Sequence, residues 1–231
     1  MTIDPSKVIY EKRIHADRPW GWDDTERHFQ RDSDLFRTLR QLATEFDRLG
    51  VAYAVIGGMA VFTHGYRRLT NDLDVLVDEQ GLAVVHRELI GHGYRRLSER
   101  SRHLRDIERG VKIRFQVAGE SPGGREPKIL PWPDPAVICE MIHEARYVRL
   151  ATLITMKLVE GRSDPGRLKD LADVVELIKA LKLPAEFVDR LHPLVRETYT
   201  EHWVGVRDSP MPPWAESWPE DDEPPANRRL S

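Results

Sequence analysis

Asp72 and Asp74 stand two residues apart, directly ahead of Val75, Leu76 and Val77. A strand alternates its side chains, so this spacing predicts two carboxylates on one face. Two acids on one face of a buried strand are costly unless a cation or hydrogen-bond donors compensate them. A phosphate-bound Mg²⁺ is the natural partner, because that ion takes a few carboxylates together with phosphate oxygens. Fourteen residues before Asp72, the pair Gly57-Gly58 ends the apolar run from Val51 to Ile56. A strand, two glycines and a helix place backbone N–H groups and a positive helix end at one spot, where phosphate binds well. Alone, the glycines read as a tight turn and the acids as a solvated strand start. Together they point to nucleotide chemistry. Arg68 and Thr70 lie just before the acids, and the arginine can bind phosphate or hold an aspartate in place.

The elements that must position these groups follow from periodicity. Ser33 can cap a helix in which Leu35, Leu39, Leu42, Phe46 and Leu49 keep helical spacing, and Gly50 ends it. A buried strand over Val51–Ile56, a helix through about His64, the acid-bearing strand Leu73–Val77 and a helix over Glu79–His92 come next. Strands are predicted near Tyr94–Leu97 and Arg102–Ile107, and a further one over Val111–Val117 turns Lys112, Arg114 and Gln116 to one side. Gly119–Pro135 reads as a long loop. An apolar helix carries Leu153, Met156, Lys157 and Val159. Another starts at Pro165 and reaches about Leu181, and a third runs from Pro184 to about Val206 with a break at Pro193. The order predicts an α+β fold: a mixed sheet with flanking helices and a helical C-terminal part. The divisions are an N-terminal extension (1–32), held at a few aromatic points such as Trp20, Trp22 and Phe29, a sheet domain (33–150), helices (151–206) and an acidic, proline-rich tail (207–231) expected to be poorly ordered.

Composition narrows the classes. With 231 residues, 40% hydrophobic and 32% charged, the chain can build a core beneath a well-solvated surface. A formal net charge of −3 makes no global case for nucleic-acid binding. The segment Arg87–Arg114 is locally basic, with nine Lys/Arg against four acids. It reads either as a solvated face or as a surface that steers a nucleotide or RNA. His86, His92 and His103 lack metal-ligand spacing and read as surface histidines. One cysteine, Cys139, no apolar signal-peptide core and no run of 18 apolar residues predict a soluble, cytoplasmic protein with no membrane partner.

Gly57-Gly58, then Arg68-x-Thr70-x-Asp72-x-Asp74 and an apolar strand, resembles the nucleotidyltransferase superfamily of the DNA polymerase beta type. Lys157 on a helix, followed by Arg167-Leu168-Lys169-Asp170-Leu171-Ala172-Asp173, resembles its AbiEii-like branch, whose toxin members belong to toxin–antitoxin pairs. The resemblance covers about Val51 to Leu181. It implies Mg²⁺ held by Asp72 and Asp74, phosphates cradled by Gly57 and Gly58, and Lys157 reaching a phosphate or the acceptor. A nucleotidyl group would pass from an NTP to a hydroxyl of an RNA, a protein or a small molecule, and an antitoxin is an implied partner. Without the resemblance, Lys157 reads as a snorkelling side chain, and Lys169, Asp170 and Asp173 read as helix-surface charges.

Two positions depart from the family pattern. Met59 stands where a serine or threonine near the glycines is usual. Arg114 stands where a neighbouring strand often carries a third acid, with Glu108 and Glu120 as poorly placed substitutes. A guanidinium neither ligates Mg²⁺ nor accepts a proton at neutral pH. It can bind phosphate, or pair with Asp72 or Asp74 in the metal's place. The alternative to an Mg²⁺-dependent transferase is therefore a catalytically impaired nucleotide- or partner-binding member of the same fold.

Overall fold

The computed structural model describes residues 9–121 and 130–209. Two short helices open the described chain, α1 (Tyr10–Ala16) and α2 (Arg18–Phe29). They are followed by α3 (Asp34–Leu49), β1 (Tyr53–Ile56), α4 (Gly57–His64), β2 (Asp72–Val77), α5 (Glu79–Leu89), β3 (Tyr94–Arg96), β4 (Leu104–Asp106) and β5 (Lys112–Val117). A one-turn helix α6 (Pro135–Ile138), a hairpin of β6 (Cys139–Ile142) and β7 (Ala145–Val148), and helices α7 (Leu150–Ser163), α8 (Leu168–Leu181) and α9 (Arg196–Asp208) complete it.

Among the described residues, seven strands form one mixed sheet in the order β3-β4-β5-β2-β1-β7-β6. β2 lies between an antiparallel β1 and a parallel β5. Its central place explains its composition: Leu73, Val75, Leu76 and Val77 are all fully buried, as expected of a strand covered on both faces. The register sets Asp74 beside Ile56 of β1 and beside Arg114 of β5. This α+β architecture, with helices around the sheet and a helical C-terminal part, is the one expected from the sequence.

Local chemistry explains most boundaries. Ser33 Oγ accepts from the Phe36 N–H and caps α3, and Gly50 ends it at φ 67°. Asp78 caps α5 in the same way. The helix expected from Pro165 begins with a 3₁₀ turn at Pro165–Arg167 before α8. The break expected at Pro193 is present: 3₁₀ turns at Ala185–Arg190 and Pro193–Val195 precede α9.

Three expectations differ from the structure. The N-terminal extension holds two helices where no period was apparent. Asp17 caps α2 by accepting from the Trp20 N–H, and packing supplies the stability that a weak apolar stripe lacks. The β6–β7 hairpin lies mostly in residues 136–146, for which the sequence predicts no element. Its turn uses His143 at φ 52° where a glycine or asparagine signal would have marked it. His86 and His103 are partly buried, not surface residues: the His86 ring meets the Arg102 carbonyl at 2.8 Å, and His103 Nδ1 accepts from the Phe115 N–H at 3.0 Å. The acidic tail beyond residue 209 and part of the Gly119–Pro135 loop lie outside the described residues.

Candidate functional site

β1 ends and α4 begins at Ile56-Gly57, and no side chain caps that helix start. Gly57 adopts φ 62°, and a Cβ there would overlap the Asp74 carboxylate. At Gly58 a Cβ would sit 2.6 Å from Thr70 Oγ1. The two glycines are therefore required because β2 and the segment before it press their polar side chains against the α4 N-terminus. Thr70 Oγ1 in turn donates to Asp72 Oδ1 at 3.3 Å.

Asp72 and Asp74 share a face, as the spacing predicts, and both open on one cavity of about 1090 Å³. Gly57, Gly58, Arg68, Thr70 and Lys157 line the same cavity, so these seven residues meet there. Six Lys/Arg side chains line it against four Asp/Glu, an excess of positive charge suited to an anion.

Arg114 sits on the acids. Its Nε donates to Asp74 Oδ1 at 2.6 Å, its Nη2 donates to Asp74 Oδ2 at 2.7 Å, and Nε lies 3.1 Å from Asp72 Oδ2. This fork geometry is the strong form of an arginine–carboxylate pair. Burial pushes the Asp74 carboxyl above the ordinary carboxylate value, against the pull of Arg114. Burial draws Arg114 down, but its bonds to Asp74 and the two negative charges outweigh that and hold it above its usual value. All four carboxylate oxygens of Asp72 and Asp74 already face a donor. With Arg114 in place the pair does not fit Mg²⁺, because the position a cation would take between the two carboxylates is filled by a guanidinium. Glu108 and Glu120 do not substitute: they pair with Arg109 and Arg102 outside the cavity.

A second charged network lines the cavity through Arg68, Lys157, Glu160, Arg167 and Asp170, with Asp173 behind them. Lys157 is 5% exposed, and its Nζ donates to Asp170 at 2.8 Å and Asp173 at 2.6 Å. Asp173 also accepts two bonds from Arg68, at 2.6 and 2.7 Å. Arg167 bonds Asp170 at 2.6 Å and Glu160 on α7. So Lys157 does not snorkel, and Asp170 and Asp173 are buried rather than on the helix surface; Lys169 alone of the three is exposed. Asp170 and Asp173, spaced i and i+3 on α8, tie Lys157 of α7 and Arg68 of the pre-β2 segment into one block.

Glu160 was missed in the sequence, although it stands three residues after Lys157 on the same helix face. Burial pushes its carboxyl up to about 7, with Asp170 and Asp74 adding to the rise and Arg167 and Lys157 opposing it. The folded protein thus keeps a proton that an unfolded chain, titrating near 4.5, has already released. Stability is predicted to fall by at most about 3 kcal/mol as pH rises through that window, and then to level off. Unfolding of wild type and Glu160→Gln at pH 5 and pH 8 checks this. The difference should shift in favour of the variant at pH 8, and a pH-independent difference would refute it.

The opposite wall was also missed. Ile14 and His15 of α1 and Arg18, Gly21, Trp22 and Thr25 of α2 line the cavity, and no sequence signal connected them to the acids. The basic segment, by contrast, is largely committed within the chain. Arg102, Arg105, Arg109 and Arg114 each pair with a carboxylate.

Among the described residues no helix is long and apolar enough to cross a membrane. No family model and no curated protein matches the chain. Among solved structures, it is similar to the antibiotic-resistance factor ANT(2'')-Ia in solution, with TM-score 0.44 and 14% identity over 70% of this chain and 89% of that one. It is likewise similar to ANT(2'')-Ia in complex with adenylyl-2''-tobramycin, with TM-score 0.45 and 13% identity over 72% of this chain and 95% of that one.

Proposed function

We propose that the cavity binds the polyphosphate of a nucleotide without requiring a divalent cation, and that the chain is a nucleotide-binding member of the nucleotidyltransferase-like fold. The observation that carries this reading is the Arg114 guanidinium seated on both carboxylates that a metal would need. The uncapped α4 N-terminus offers free N–H groups to phosphate oxygens. Arg18, Arg167 and Lys169 line the cavity as further cations. Arg114 is 40% exposed in its side chain, so it can contact a phosphate while remaining on Asp74.

A second reading is nucleotidyl transfer to a hydroxyl of an RNA, a protein or a small molecule, with Mg²⁺ on Asp72 and Asp74. It is favoured by the two acids sharing one face beside the α4 N-terminus, and it requires Arg114 to leave them. Calorimetry with ATP separates the two. Affinity in EDTA within about threefold of that in Mg²⁺ supports the first reading, and binding confined to Mg²⁺ overturns it. Transfer of label from an NTP to an acceptor in cell extract, lost in Asp72→Ala, would establish the second.

A further inference from the structure

The hairpin of α1 and α2 is fixed to the sheet more firmly than a terminal appendage needs to be. The Tyr10 N–H donates to the Gly110 carbonyl at 3.1 Å, and Tyr10 is 1% exposed. Its hydroxyl donates to Asp24 at 2.7 Å, and Arg105 holds Glu11 by two bonds of 2.8 Å. Between the two helices, a Cβ on Gly21 would sit 2.5 Å from the Ile14 carbonyl oxygen, so the helices cross at van der Waals contact and only glycine fits. Trp20 completes the packing: it meets Tyr10 edge-on at 5.7 Å, and Arg13 lies 4.0 Å from its ring centre.

Trp22 takes no part in that packing. It follows directly on the Gly21 crossing, is 76% exposed and lines the cavity. Leu69, 40% exposed, lines the same cavity. The uncovered indole and Leu69 together put apolar surface in the lining of a cation-rich cavity, where a ligand would cover it. The cavity, at about 1090 Å³, is at the upper end of what a drug-sized ligand occupies and larger than a polyphosphate fills. Its charged residues satisfy phosphate; its exposed aromatic suits the flat, apolar face of a ring attached to that phosphate.

We infer that Trp22 is the stacking platform for the nucleobase of the bound nucleotide, with the α1–α2 hairpin serving as the base-binding wall of the site. This rests on the phosphate reading above, and the test separates the two. ATP and inorganic tripolyphosphate are titrated against the full chain as wild type, Trp22→Ala and Trp22→Phe. Because Trp22 is exposed, the variants should keep the wild-type melting temperature. Trp22→Ala should weaken ATP binding about 10- to 100-fold, the range for loss of one base–aromatic stack. Trp22→Phe should retain most of the affinity, and tripolyphosphate should bind all three proteins equally. Equal effects of Trp22→Ala on ATP and tripolyphosphate, or no effect on either, overturn the base platform while leaving the phosphate site intact. Failure of wild type to bind either ligand overturns the phosphate reading and this inference with it.

Discussion

Asp173→Ala should cost about 3–5 kcal/mol of folding stability, the cost of removing one partner from a buried ion network. Asp173 is 2% exposed and is the only acid bonded to Arg68 among the described residues, while sharing Lys157 with Asp170. Without it, Lys157 retains Asp170, whereas Arg68 keeps no acid partner among the described residues. Of a total stability of roughly 5–15 kcal/mol for a domain, this is a large share. Asp173→Asn keeps two of the acceptor contacts in weaker form and should lose less. Lys169→Ala on the same helix is exposed and should stay within about 0.5 kcal/mol of wild type. Urea unfolding of the three variants is the measurement. A loss below about 1 kcal/mol for Asp173→Ala would show that the network contributes nothing beyond a surface pair.

This network shows where sequence reasoning reached and where it stopped. The sheet, its acid-bearing strand and the meeting of Gly57, Gly58, Arg68, Thr70, Asp72 and Asp74 were legible, because glycine pairs, period-2 alternation and the i, i+2 acids are local signals; Lys157 was placed with them only by the family resemblance. The resemblance set Arg114 where the family carries a third acid, and pairing with Asp72 or Asp74 was one of two roles left open for it. What Lys157 and Arg68 bond to was not legible. Their partners are acids on α8, and helical spacing alone does not say whether Asp170 and Asp173 face water or a core. The N-terminal hairpin was less legible still. Its helices carry few apolar residues in register, and their stability comes from Tyr10, Glu11 and Asp24 meeting groups far along the chain.

Arg114→Ala should convert a metal-indifferent protein into a metal-responsive one. The substitution leaves Asp74, 7% exposed, beside Asp72 with no cation between them. In EDTA the variant should lose about 1–3 kcal/mol, less than a fully buried pair would because the arginine side chain is 40% exposed. Millimolar Mg²⁺ or Mn²⁺ should recover part of that loss by mass action, while wild type should melt at the same temperature with or without metal. ATP binding in EDTA should weaken as well, since one phosphate-facing cation is gone. Thermal melts and calorimetry with and without metal report both effects. A variant as indifferent to metal as wild type would show that Asp72 and Asp74 do not form a latent cation site.

The bonds that complete this cavity join distant parts of the chain: Arg68 and Asp173 are 105 residues apart, and Glu11 and Arg105 are 94 apart. Such pairings form late, because the loop between the partners must close before their contact repays it. During synthesis the strands β1, β2 and β5 emerge before α8, so the young chain passes through a stage in which the sheet is available while Arg68 and Lys157 still lack Asp173. The acids of α8 therefore act as the latch of the fold, and a chain halted short of them would present two uncompensated cations beside exposed apolar surface, the kind of intermediate on which chaperones and proteases act.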